Sequence, residues 1–279
     1  MTDLQLFNMS YMPYMPWDVL QYDFMRAALA AGLAASVLCG IIGIYVILNK
    51  IVFISDGIAH AAFGGIGLGY LLGLDPLAFG IGSALITAFG IGLVSGRQRI
   101  SEDTAIGVFL ATGMALGIMF MSLSKGYSRD LFGYLFGNIL AVSWSDVILI
   151  LLLTLAVLVL VFLLYKEFLI LSFDPLYGEA LGLPVRSLRL LLLAMVAFSV
   201  VVLIKIVGII MVIALLTIPG AISRQHMKGL PGIMAGSMLL GGIFVTVGLL
   251  VSYQWDIPSG ATIILTAAAA FFLSTVISR

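Results

Sequence analysis

Residues 147–165 read VILILLLTLAVLVLVFLLY, nineteen positions without a charge, held between Asp146 and the pair Lys166-Glu167. As α-helix such a run covers about 30 Å, and a bilayer's hydrocarbon core asks for about 20 apolar residues. Lipid offers no water to bond the backbone, so a lone spanning segment has to be helical. Taken as a span at 146–165, the run has eight companions of similar length, at 27–48, 57–74, 76–95, 104–123, 188–204, 206–223, 231–253 and 258–278. Short polar or Pro/Gly breaks separate them, such as Asp75-Pro76 and Asp256-Ile257-Pro258. The reading is an all-α, polytopic bundle.

Composition agrees. Of 279 residues 62% are hydrophobic and 9% charged, against roughly 25% charged in a soluble domain. A soluble globule could not hide that much apolar surface, whereas lipid accepts it on the outside of the fold. The formal net charge of zero argues against a nucleic-acid partner, which calls for a basic patch. Cys39 is the single cysteine and cannot form an intrachain disulfide. No long linker divides the chain, so residues 1–22 read as a polar and aromatic interfacial segment and 23–279 as one transmembrane domain. Met1 to Trp17 carries no basic stretch leading into an apolar core, so no cleavable signal peptide is expected.

Orientation follows from the cations. With nine spans starting outside, the inner side receives Lys50, Arg97, Arg99, Lys166, Arg186, Arg189, Arg224, Lys228 and Arg279. The outer side receives Arg26, Lys125, Arg129 and Lys205. That predicts an external N-terminus and a cytoplasmic C-terminus, and it puts Trp17, Trp144 and Trp255 at the outer interface. Almost nothing separates 188–204 from 206–223, so eight full spans is the alternative count. Lys205 is expected to snorkel at the outer mouth. Residues 129–143 are too broken for a span and read as a short external or re-entrant helix.

Ionisable groups within apolar spans are few and costly. Asp56 and His60 open the second span four residues apart, which sets both on one helical face about a turn apart. Gly64 continues that face and is read as leaving room in front of it. A carboxylate beside an imidazole suits a borderline divalent cation such as zinc or manganese. An internal ion pair, or Asp56 as a helix N-terminal carboxylate, accounts for the same spacing. Glu102 and Asp103 read as carboxylates capping the fourth span. Two cytoplasmic loops look suited to gripping a partner: Phe173 to Pro184, with a short amphipathic turn, and Ile218 to Lys228, where a helix is expected to stop at Pro219-Gly220 and show polar side chains including His226. The glycines of the second and third spans read as packing residues.

Absences narrow the function. The dipeptide Gly-Lys does not occur, so there is no P-loop, and no His-Glu-x-x-His or Gly-x-Ser-x-Gly element is found. If ATP drives transport, another subunit binds it. A membrane enzyme would have only Asp56 and His60 for acid–base work.

From about Tyr22 onward the chain resembles the permeases of ABC importers for zinc, manganese and iron. The resemblance rests on blocks in order: Tyr22 to Leu29, Gly40 to Gly43 and Val46 to Leu48; Ser55-Asp56-Gly57-Ile58-Ala59-His60-Ala61; Glu102 to Gly107; Tyr134 to Leu140; Asp174 to Pro184; Val207 to Ala221; and Ile257 to Thr262. It implies a type II ABC importer permease-like fold, similar to the cobalamin and siderophore importers. Two permease copies would surround a central path in a prokaryotic cell membrane. Two ATP-binding subunits would dock below, and an extracytoplasmic metal-binding protein would deliver the ion. No cofactor would be held tightly. The resemblance makes Asp56 and His60 transient ligands of the moving ion, zinc first and then manganese or iron. It makes Thr217 to Leu230 the ATPase coupling loop, through Pro219, Gly220, Ala221, Ser223, Arg224, Gln225 and His226. The rival reading is a gradient-driven metal carrier or channel, which explains Asp56 and His60 but not the two docking-like loops.

Overall fold

The computed structural model describes residues 18–94, 101–124 and 137–278. These form α1 (Asp23–Leu48), α2 (Val52–Leu72), α3 (Pro76–Val94), α4 (Glu102–Leu123), α5 (Trp144–Leu163), α6 (Tyr165–Phe173), α7 (Pro175–Ala180), α8 (Val185–Val207), α9 (Ile209–His226), α10 (Leu230–Trp255) and α11 (Ser259–Ile277). Short 3-10 turns occupy Asp18–Gln21 and Ile139–Ala141. Among the described residues nine helices, all but α6 and α7, are long and apolar enough to cross a bilayer, and no residue is in a strand. Trp17, Arg97, Arg99, Lys125, Arg129 and Arg279 lie outside the described residues.

Small residues set the helix directions. Gly57 meets Ile106, Gly64 meets Gly113 and Gly67 meets Gly117, so α2 and α4 run parallel in close contact. Gly65 lies against Phe79 and Ser83, and Gly69 against Pro76, so α3 returns antiparallel along another side of α2. Gly40, Ser36 and Gly32 meet Met238, Gly241 and Val245 in turn, which makes α10 antiparallel to α1. Without side chains between them, helix backbones approach closely enough for dispersion and polar contacts to replace the hydrophobic effect that lipid removes. α1 is the central post, packed on α5, α8, α9 and α10, and its residues from Ala34 to Val46 are nearly all buried.

The chain divides α8 from α9 at Gly208, whose φ of 80° lies in the left-handed region open to glycine. Lys205 is therefore not the break but part of the last turn of α8. Both flanking helices are long enough by composition to span, which favours nine spans over eight. At 18 residues α9 is only about 27 Å long and the shortest of the nine. Of the expected short helix at 129–143, residues 129–136 lie outside the described residues, and the rest holds only the turn at Ile139–Ala141. Ile139 is buried there, reaching Gly32 of α1.

The end of the bundle that carries the start of α1 is tied by polar pairs. Trp144 Nε1 donates to both carboxylate oxygens of Asp23, at 3.3 and 3.2 Å. Ser143 and Asp146 form a reciprocal capping box on α5. Lys205 Nζ lies 2.8 Å from Asp146 Oδ1, so it pairs rather than simply snorkels. At the N-terminus of α4 the side-chain cap is Ser101, which accepts from Thr104 N at 3.2 Å. Asp103 sits in the first turn and is not the capping residue.

Candidate functional site

Asp56 is the fifth residue of α2 and His60 the ninth of 21, so His60 stands near mid-helix and Asp56 is too far in to cap. His60 Nδ1 lies 3.1 Å from Asp56 Oδ1 and 3.0 Å from the Asp56 main-chain oxygen. Both neighbours are acceptors, so the hydrogen belongs on Nδ1. In the neutral ring Nε2 then keeps its lone pair. This is the arrangement by which a carboxylate fixes tautomer and orientation of a metal-binding imidazole. Asp56 here orients His60, and Oδ2 is the carboxylate oxygen left for anything else.

The remaining faces of this half of α2 are filled. Ile54, Ser55, Gly57, Ile58, Ala59, Ala61 and Ala62 are buried against α3, α4 and α8. Phe53, Asp56 and His60 form the stripe that the chain does not cover. Their exposures are 71% for Phe53, 31% for Asp56 and 22% for His60. Gly64 does not open space in front of the pair; its Cα faces the Gly113 backbone across the α4 seam. Among the described residues no group of three or more His, Cys, Asp or Glu is gathered to hold a metal. Among the described residues, the pair presents one ring nitrogen and one free carboxylate oxygen, fewer ligands than a closed metal site uses.

The seven residues expected at the ATPase coupling loop divide in two. Pro219, Gly220 and Ser223 are buried in α9 and Ala221 is half-buried, with Gly220 against Ile44 and Ile47 of α1. The helix does not stop at Pro219-Gly220 but runs on to His226. Arg224, Gln225 and His226 are exposed, yet two of them are also tied down. Ser274 Oγ of α11 donates to Gln225 Oε1 at 2.8 Å and lies 2.7 Å from His226 Nε2.

The other docking-like loop is more open. Phe173, Leu176, Tyr177 and Leu181 are exposed by 66, 77, 54 and 54%, around the short helix α7 that Asp174 caps through Tyr177 N at 3.0 Å. The sequence marks this segment as a short amphipathic turn; that its apolar side is the one the bundle leaves uncovered needs the helix phase to be seen.

Residues 21–278 match the model of a family described as "ABC 3 transport family". The chain is 47% identical over 262 residues to an uncharacterized membrane protein of Synechocystis, covering 94% of this chain and 93% of that one. It is 34% identical to "Manganese transport system membrane protein MntC" of Halalkalibacterium halodurans, over 92% of this chain and 88% of the relative. Among solved structures, "PsaBC from Streptococcus pneumoniae in complex with Fab" superposes with a TM-score of 0.84 at 33% identity, covering 93% of this chain and 94% of the other.

Proposed function

We propose, from the premise that the chain belongs to the ABC 3 transport family as a metal-transport permease with no ATPase of its own, that it carries manganese inward by alternating access between two copies. Zinc and then iron stand behind manganese as cargo. The order differs from the sequence-based lean to zinc because relatives such as the Halalkalibacterium protein carry manganese transport in their names. The chemistry is compatible: Asp56 and His60 supply hard oxygen and borderline nitrogen, and the one cysteine, Cys39, is buried in α1, so no thiolate is at hand to favour softer ions.

One observation carries the site. A carboxylate and an imidazole stand in the first half of a spanning helix, on the stripe their own chain leaves uncovered. Facing lipid they would be strongly unfavourable. Facing a second copy across a wet central path they are solvated, and two such pairs could pass an ion between few, weak ligands. A closed four-ligand site would hold it too firmly for transit. The polarity argued from the cations puts the N-terminus outside and α6, α7 and the α9–α10 turn in the cytoplasm, where the ATP-binding subunits dock. The uncovered Phe173, Leu176, Tyr177 and Leu181 support α7 as the main docking element, with Arg224 to Lys228 as a second one. The ion arrives from an extracytoplasmic binding protein.

Vesicles holding the chain with its ATPase and binding protein, given ATP inside or out, test the reading with radioactive manganese and zinc. ATP-dependent manganese uptake that disappears in His60→Gln, with the complex still assembled, supports it. Uptake driven by an ion gradient without ATP would return the carrier reading and sink this one.

A further inference from the structure

Three side chains meet where α1 ends. Asn49, the C-terminal cap of α1, donates from Nδ2 to Tyr45 O at 2.9 Å and to Ser172 Oγ at 3.0 Å. Ser172 Oγ in turn donates to Phe168 O at 2.8 Å, so the hydroxyl serves as both donor and acceptor. Directly above, the rings of Tyr45 and Phe168 lie 5.4 Å apart and both are fully buried. The end of α6 is thus fastened to the end of α1 at two levels, one apolar and one polar.

Each side of this fastening leads to a different functional element. Ser172 precedes Phe173 and the α7 cap Asp174, the segment assigned above to ATPase docking. Asn49 begins a three-residue connection into α2. Ile51 N bonds Val46 O at 2.9 Å and Lys50 N bonds Ile47 O at 3.2 Å, with Lys50 left-handed at φ 58°. That is a Schellman closure. Ile51 O then accepts from Ile54 N and Ser55 N at 3.1 and 3.2 Å, which starts α2 without slack, and Asp56 follows. Backbone bonds hold Lys50 and Ile51, and Ile51, Ile54 and Ser55 are buried, while the side chains of Lys50 and Phe53 are exposed.

We infer that the Asn49–Ser172 hydrogen bond transmits movement of the docking segment to the start of α2, and so to Asp56 and His60. Asn49 and Ser172 are positioning residues for transport. The inference rests on the docking reading for α7. A displacement of α6 and α7 by a closing ATPase pulls on Ser172. The bond carries it to Asn49, and the short connection turns it into a shift of the α2 N-terminus. Without the bond, Tyr45 and Phe168 still hold the helices together, so the fold survives while the docking segment loses its polar hold on the α1–α2 corner.

The test is the ratio of manganese ions moved to ATP hydrolysed by the complete reconstituted complex. Asn49→Ala and Ser172→Ala are each expected to lower that ratio about five-fold or more, the range of ordinary coupling free energies, with ATP hydrolysis and assembly retained. The double variant is expected to be no worse than the poorer single, because both remove one bond. Ser172→Thr keeps a hydroxyl and restores the ratio. A ratio unchanged in both alanine variants, or transport and hydrolysis falling in parallel, overturns the inference. Leu176→Glu separates the two readings: if the ATPase still co-purifies with that variant, the docking reading falls and takes this inference with it. If the ATPase is lost but Asn49→Ala keeps a normal ratio, only the inference falls.

Discussion

Replacing Gly67 by alanine adds one methyl group at the α2–α4 seam. The new Cβ would stand 2.5 Å from the Gly117 carbonyl oxygen and 2.9 Å from the Gly117 Cα. Both are backbone atoms and cannot rotate away. To restore ordinary contact the helices must part by about 1 Å, and close-packed interiors resist such shifts. Overpacking of this kind costs about 1–3 kcal/mol. Separation also forfeits contacts along the seam at Gly64 and Gly113. Gly107 lies on the same α4 helix with nothing within 4 Å of its would-be Cβ. There alanine removes only glycine's helix penalty and is expected to stabilise by about 0.5–1 kcal/mol. Thermal unfolding of the purified chain in one detergent, followed by tryptophan fluorescence, compares the two. Gly67→Ala lowers the midpoint and Gly107→Ala raises it or leaves it. Equal shifts in both, or no loss at Gly67, would refute the claim that glycine-mediated backbone approach holds this seam.

Other substitutions probe the α1–α2 corner, the α5 cap and the docking segment. Lys50→Gly relieves a left-handed, non-glycine residue at a Schellman closure, where the strain is about 1 kcal/mol, and should raise the unfolding midpoint. At the opposite end, Lys205→Met breaks a pair that is partly solvated on the lysine side and should change stability by less than about 1 kcal/mol. Asp146→Ala also removes half of the α5 capping box and should cost more, about 1–2 kcal/mol; chemical denaturation ranks the two, and equal losses would refute the capping argument. Leu176→Glu should release the ATPase subunits in pull-down experiments while the permease stays folded by circular dichroism.

The spans were legible because each is an apolar run of bilayer length, and nine of them reappear within a few residues of where the runs lie. Orientation of one helix against another was not legible. The glycines of α2 announce close packing, but Gly64 could be given its partner only by the geometry, and it faces α4 rather than the metal pair. Spacing put Asp56 and His60 on one face. The double contact of His60 Nδ1, which makes Asp56 an orienting group, depends on the ring rotation that no spacing encodes. Ile218-Pro219-Gly220 reads as a helix end, since proline lacks a donor and clashes with the preceding turn. In the bundle α1 and α10 shelter that turn, and α9 continues through it. Asn49 and Ser172 are 123 residues apart and neither carries a motif, so their pairing had no sequence signal at all.

If Asp56 and His60 line the path, the moving ion touches His60 on its way. X-ray absorption at the manganese edge, on the assembled complex trapped with the ion aboard, measures this directly. Imidazole scattering in the wild-type spectrum that vanishes in His60→Gln, with all-oxygen coordination or loss of the ion in its place, is the expected result. A spectrum without imidazole, or one unchanged by His60→Gln while uptake persists, would remove Asp56 and His60 from the path and leave them as an internal pair of α2.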